Sequence, residues 1–343
     1  MQRLCVTDMH TAGEPVRIVT DGYPDLPGAT ILEKRREAMH RHDALRRMLV
    51  LEPRGHAGMY GVIPVAPTDP RAAFAALFIH GEGYSTMCGH ATIALGRWLV
   101  ESGRVPVAEP ETRFCIELPC GLVEIRCAVE NGIVHRTAFI SVPAFLSRRD
   151  VAIAVPGLGP VRFDLAYGGA FYAVLPASRL GLSFCDAPFE RLVSAATALT
   201  DAARSALDIV HPDAEDLGFL YGTILTDDAA PPAPTYNLCV FADGQIDRSP
   251  TGSGVTARMA RDHALGLIRP GQERLFFGPT GIGFSGCVTR ADEPIDGTVR
   301  VLVSGRSHHS GTAVFDIEPD DQLGGGFTLP KTFRDVAGRD GCA

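Results

Sequence analysis

The sequence predicts an α/β (α+β) protein of two halves, each a mostly antiparallel sheet wrapped around one central helix. Three observations lead there. Val123, Ile125, Cys127 and Val129 alternate with mostly polar neighbours, then Asn131-Gly132 introduces a second apolar run, 133–142, the pattern of a β-hairpin. Residues 91–100 read as a helix that is apolar on nearly every side (Ile93, Ala94, Leu95, Trp98, Leu99), so it belongs inside a sheet. One short phrase also occurs twice, Met87-Cys88-Gly89-His90-Ala91 and Pro250-Thr251-Gly252-Ser253-Gly254, each time opening a helix. Opposed across a cleft, the two helix N-termini would bring the repeats together.

The elements follow in order. Short strands at 4–7 and 16–19 flank a polar loop, His10-Thr11-Ala12-Gly13-Glu14-Pro15, and a helix spans 33–48. After the hairpin, Pro156 and Gly159 interrupt the chain and the strand pattern restarts at 161–165 and 171–175 around Tyr167-Gly168-Gly169. This places a domain boundary near residue 165, giving halves 1–165 and 166–343. A helix over 189–207 precedes a stiff proline-rich loop at 229–234. The second repeat opens a helix at 255–265, more polar than the first, with Arg258 and Asp262 spaced to pair and one side buried. Strands at 299–303 and 312–317, a Gly324-Gly325-Gly326 turn and a polar tail after Lys331 end the chain.

Composition narrows the function. With 343 residues, 45% of them hydrophobic, there is material for two cores. A net charge of -8 and no basic face argue against nucleic acid. No apolar run approaches the roughly 20 residues that span a bilayer, and no export signal opens the chain, so a cytoplasmic protein is expected. Nine cysteines, an odd number without a C-x-x-C pair, read as reduced and mostly structural, with no metal site. Lys34 and Lys331 are the only lysines, which weighs against pyridoxal phosphate.

The repeats differ in chemistry. Cys88 offers a thiol whose pKa, near 8.5 when free, is lowered at a helix N-terminus, so it can act as a base. Thr251 offers a hydroxyl, which cannot take a proton from carbon. The backbone amides of Gly89, His90, Gly252 and Ser253, at two opposed helix N-termini, suit one carboxylate. Asp247, four residues before Thr251, supplies a counter-charge for an amine. Carboxylate plus amine describes an amino acid. Each residue has a plainer reading: a packed cysteine, a satisfied histidine, an Asp247-Arg248 surface ion pair, a Thr or Ser helix cap.

Together, Met87-Cys88-Gly89-His90-Ala91-Thr92-Ile93 and Asp247-Arg248-Ser249-Pro250-Thr251-Gly252-Ser253-Gly254 resemble the two signature segments of the proline racemase family. Supporting matches are His10 to Pro15, Pro53-Arg54-Gly55-His56, Asp164 to Gly169 and Gly324 to Phe327, so the resemblance covers about residues 3 to 330. It implies a diaminopimelate-epimerase-like fold of two pseudo-symmetric halves, a cofactor-independent site between them and a homodimer. It places the catalytic cysteine on Cys88, the carboxylate-binding amides on Gly89, His90, Gly252 and Ser253, the amine contact on Asp247 and a ring wall on Phe241. Where racemases and 4-hydroxyproline epimerases carry a second cysteine, this chain has Thr251. The Cys/Thr pair resembles the branch that dehydrates trans-3-hydroxy-L-proline. Two rivals remain at this point: a 4-hydroxyproline epimerase or proline racemase-like isomerase with water or Thr251 relaying the second proton, and a non-catalytic amino-acid-binding protein.

Overall fold

A computed structural model describes residues 2–289 and 297–330; the polar tail after Lys331 lies outside them. The first hairpin pairs Gln2–Thr11 with Glu14–Asp21 in antiparallel register, Thr11 opposite Glu14. The polar loop expected at 10–15 therefore shrinks to Ala12-Gly13, whose φ values of 52° and 87° make the tight turn that matches strand twist. Asn131 and Gly132 (φ 53° and 74°) make the second such turn, joining Gly121–Glu130 to Ile133–Ile140 as the alternation predicts. Pairing is antiparallel throughout most of the sheet. The exceptions are parallel pairs such as Glu14–Asp21 with Gly61–Val65 and Phe171–Pro176 with Leu220–Thr226.

The single helix expected over 33–48 is two, α1 (Ile31–Arg41) and α2 (Asp43–Val50), broken at His42. Thr30 starts α1 by accepting from the Glu33 N–H at 3.2 Å, while the Glu33 carboxylate accepts from the Ala29 N–H. The break lets Met48, Leu49 and Val50 turn into a second, smaller core cluster with Leu4, Ile63 and Leu77.

The first central helix, α3 (Gly89–Glu101), is buried at every residue except Arg97 and Glu101, which pair with each other. It packs against Gln2–Thr11, Gly121–Glu130, Ile133–Ile140 and Ser307–Ile317. A further helix, α4 (Phe189–Ala206), covers Leu220–Thr226 in the second half. The second central helix, α5 (Gly252–Ala264), packs against Phe145–Val155, Gly159–Tyr167, Phe171–Pro176 and Gly283–Val288. Strands Val301–Gly305 and Ser307–Ile317 return to pair with Ile133–Ile140 and Gln2–Thr11, so the chain closes where it began. Among the described residues no helix is long and apolar enough to cross a membrane.

Contrary to the one-sided burial expected of it, α5 is buried from Gly252 to Ala260 and again at Asp262. Its charges go inside because each finds a partner, though not the one the i,i+4 spacing suggested. Arg258 donates to Asn237 Oδ1 at 2.6 Å, and Asp262 accepts from Arg274 at 2.8 Å and Arg261 at 2.9 Å. Arg274 also donates to the carbonyls of Ala229 and Ala233, which fastens the proline-rich loop to the core. Removing one member of a buried pair leaves the other charge uncompensated, at a cost of about 3–5 kcal/mol. Asp262→Asn should accordingly lower the unfolding free energy measured by urea titration by an amount of that order; a loss below about 1 kcal/mol would show that the pair does not hold α5 in place.

Candidate active site

The two repeats meet at their glycines. A methyl group placed on Gly89 would lie 2.3 Å from the Cα of Gly252, and one placed on Gly252 would lie 2.7 Å from the Cα of Gly89. Only hydrogen fits at either position. The helices α3 and α5 thus touch at their first residues with their N-termini opposed. The N–H groups of Gly89, His90, Gly252 and Ser253, in the first turns, have no intrahelical acceptor, and Gly89, His90 and Ser253 border one small space. Two helix N-termini with exposed amides form a ready anion site.

Cys88 and Thr251 stand just before the two helices, and both line that space. Both are buried, and with Gly89, His90, Asp247 and Ser253 they line one cavity of about 10 Å³, walled by Tyr60, Met87, Tyr172, Tyr221 and Phe241. The cavity has room for about one water molecule. Phe241 stacks on Tyr221, with ring centroids 5.2 Å apart and planes 13° from parallel, so the wall expected at Phe241 is a double one.

The Cys88 sulfur lies 3.1 Å from His90 Nδ1, which in turn is 4.0 Å from Asp247 Oδ2. Thiol, imidazole and carboxylate therefore form a chain across the contact between the halves. His90 contributes a ring as well as the backbone amide assigned to it from the sequence. The other Asp247 oxygen accepts from the Ser249 N–H at 2.7 Å, which fixes the carboxylate's direction. Arg248 turns away from Asp247: its N–H and guanidinium donate to Glu14, so the expected surface pair gives way to a buried one between the halves. Glu14 is fully buried, and desolvation together with nearby Asp247 pushes its pKa well above the usual carboxylate range. The Ser253 hydroxyl is held by the Tyr172 phenol at 2.7 Å.

Two expectations are revised. The helix N-terminus was expected to lower the Cys88 pKa, but burial raises it well above that of a free thiol, outweighing the opposing pull of the Ala91 N–H; Asp247 and Glu14 push the same way. Desolvation of a charge deep in a cavity exceeds what one helix end returns. Thr251 is not an ordinary cap either. It has φ 63° and ψ 90°, its side chain caps nothing, and its buried Oγ1 lacks a hydrogen-bond partner. Glu14, Tyr60, Tyr172 and Tyr221 are site residues missed by sequence reasoning. Glu14 sits in a motif already noted, and Tyr60 is a polar ring opening an apolar strand, which is the signal that was available.

Because a raised thiol pKa leaves little thiolate at neutral pH, Cys88 should alkylate slowly at pH 7 and its rate should still be climbing above pH 9. Peptide-resolved mass spectrometry after iodoacetamide treatment measures this; a plateau below pH 8 would contradict the burial argument.

Known proteins resemble this chain along most of its length. A family model described as proline racemase matches residues 6–328. Human trans-3-hydroxy-L-proline dehydratase is 51% identical over 334 residues, 95% of this chain and 94% of that one. The protein of the same name from Colwellia psychrerythraea is 46% identical over 258 residues, 75% of this chain and 73% of that one. A crystal structure of a hydroxyproline epimerase from Agrobacterium vitis with bound trans-4-hydroxy-L-proline superposes with a TM-score of 0.89 at 30% identity, over 96% of this chain and 95% of that one. The chain belongs to the proline racemase family.

Proposed function

We propose that this protein dehydrates trans-3-hydroxy-L-proline to 1-pyrroline-2-carboxylate, with Cys88 as the single base. The observation that carries the reading is the asymmetry across the Gly89–Gly252 contact, a thiol on one side and a hydroxyl on the other. Racemisation removes a proton from one face of the α-carbon and returns it on the other, which calls for two comparable acid–base groups. Dehydration removes it once. In trans-3-hydroxyproline the hydroxyl and carboxylate lie on opposite ring faces, so the α-hydrogen and the hydroxyl share a face, and one thiol can serve both. The relatives named as trans-3-hydroxy-L-proline dehydratases support the same choice.

The four amides at the opposed N-termini hold the substrate carboxylate, and Asp247 holds its cationic ring nitrogen. That nitrogen neutralises Asp247, one of the charges that oppose the Cys88 thiolate. The Cys88 proton passes to His90 Nδ1, 3.1 Å away. The thiolate then takes the α-proton; the C–H electron pair becomes the C2–C3 double bond as the C3–O bond breaks. The hydroxide departs as water, its proton coming from the new Cys88 thiol, and the enamine tautomerises to the imine. Amides aimed at the carboxylate stabilise the charge that builds as the α-carbon flattens. The 10 Å³ cavity is too small for the substrate, which supports a reading in which the sheets around α3 and α5 part to admit it.

Incubation with a panel of hydroxyproline isomers tests the proposal: pyrroline should form from trans-3-hydroxy-L-proline, and Cys88→Ser should lose at least about 10³-fold in kcat. Inertness of the unaltered protein toward that isomer, or an active Cys88→Ser protein, overturns it. Thr251→Cys, by restoring a second thiol, should introduce α-hydrogen exchange and epimerisation of 4-hydroxyproline. Proton NMR in deuterium oxide reads this; absence of exchange would show that the residue at 251 does not face the α-carbon.

A further inference from the structure

Two buried hydroxyls in the site cavity lack a hydrogen-bond partner, Thr251 Oγ1 and Tyr60 Oη. The rest of the wall is satisfied or apolar; Tyr172, for example, bonds Ser253. A buried hydroxyl left unpaired destabilises a fold, and phenylalanine would fill the same space without that cost. An orphaned phenol beside a reactive thiol therefore points to a ligand that satisfies it.

Tyr60 is held firmly. It is 2% exposed, and its backbone carbonyl accepts from the Arg17 N–H at 2.9 Å. Its ring meets the His90 ring edge-on at 4.9 Å and packs near Phe241 and His80. Its position relative to Cys88 sets it apart from Thr251. Tyr60, Cys88 and His90 come from the first part of the chain, while Thr251 stands across the cavity at the start of α5. A substrate placed between Cys88 and Thr251 presents its α-hydrogen to Cys88. The 3-hydroxyl of the trans isomer lies on that same face, and so meets Tyr60.

We propose that Tyr60 recognises the substrate's 3-hydroxyl and is the acid that protonates it as it leaves, a role that rests on the dehydratase reading above. The steps balance. Cys88 thiolate takes the α-proton, the C–H pair forms the C2–C3 double bond, and the C3–O bond breaks with its electrons on oxygen. Tyr60 gives its phenolic proton to that oxygen, forming water. The Cys88 thiol then reprotonates the Tyr60 phenolate and returns to thiolate. Burial raises the Tyr60 pKa well above its ordinary value, so the phenol enters the cycle protonated, and it lines the same cavity as the Cys88 thiol.

The test is Tyr60→Phe, measured three ways. Dehydration of trans-3-hydroxy-L-proline should fall by about 10²-fold or more in kcat, the usual contribution of a positioned acid. Affinity for pyrrole-2-carboxylate, a flat ring acid without a hydroxyl, should stay within about threefold of the parent. The melting temperature should equal or exceed the parent's, since the oxygen removed had no partner. Retained dehydration overturns the proposal, as does loss of pyrrole-2-carboxylate binding in parallel with activity, or a lowered melting temperature, either of which would make Tyr60 a structural residue. Failure of the unaltered protein to dehydrate trans-3-hydroxy-L-proline is a different result, which overturns the dehydratase reading itself.

Discussion

The contact between Gly89 and Gly252 is the constraint on which the rest of the molecule depends. Two helices approach end to end so closely that neither glycine has room for a methyl group. The first turns of both helices then border one space, where the positive ends of the two helix dipoles reinforce each other. Such a junction would repel itself and leave N–H groups unsatisfied without an anion. The sheets wrapped around α3 and α5 hold the junction together, and the returning strands Val301–Gly305 and Ser307–Ile317 tie it to the first hairpin.

The same closeness governs the chemistry. Residues flanking the junction are buried, so every charge there interacts strongly with its neighbours and poorly with water. Cys88 is held as a thiol, His90 is pushed toward its neutral form by desolvation, and burial keeps His80, in the surrounding wall, neutral, with its pKa down at about 3. Asp247 is one of the charges that oppose a Cys88 thiolate.

Polar burial also positions the second repeat. Glu14, in the first hairpin, takes the backbone N–H and the guanidinium of Arg248, next to Asp247. At the far end of α5, Arg261 bridges Asp164 and Asp262, and Arg274 completes the pair. These contacts fix the helix that carries Gly252 and Ser253 by directional bonds as well as by apolar packing. Small displacements of a site this tight would misplace the reacting atoms, and charge networks resist them better than a greasy surface alone.

Much of this was legible in the chain. The period-two alternation at 121–130, the two-residue turn Asn131-Gly132, and the uniformly apolar face of α3 are local patterns with local causes, and they appear as read. The repeated phrase pointed to Cys88, Gly89, His90, Thr251, Gly252 and Ser253, and the stretch before its second copy to Asp247; all but Gly252 line one cavity, and Gly252 meets Gly89. What the sequence could not convey depends on residues distant in the chain. The break at His42, the burial of α5 and the partner of Asp262 were settled by what packs against each, since spacing permits Arg258 but space delivers Arg274. Reversal of the Cys88 shift is of the same kind: a helix N-terminus is visible in sequence, whereas the depth of burial that overrides it belongs to the assembled core. So does the unpaired hydroxyl at Tyr60, for only the folded chain shows that it is buried without a hydrogen bond.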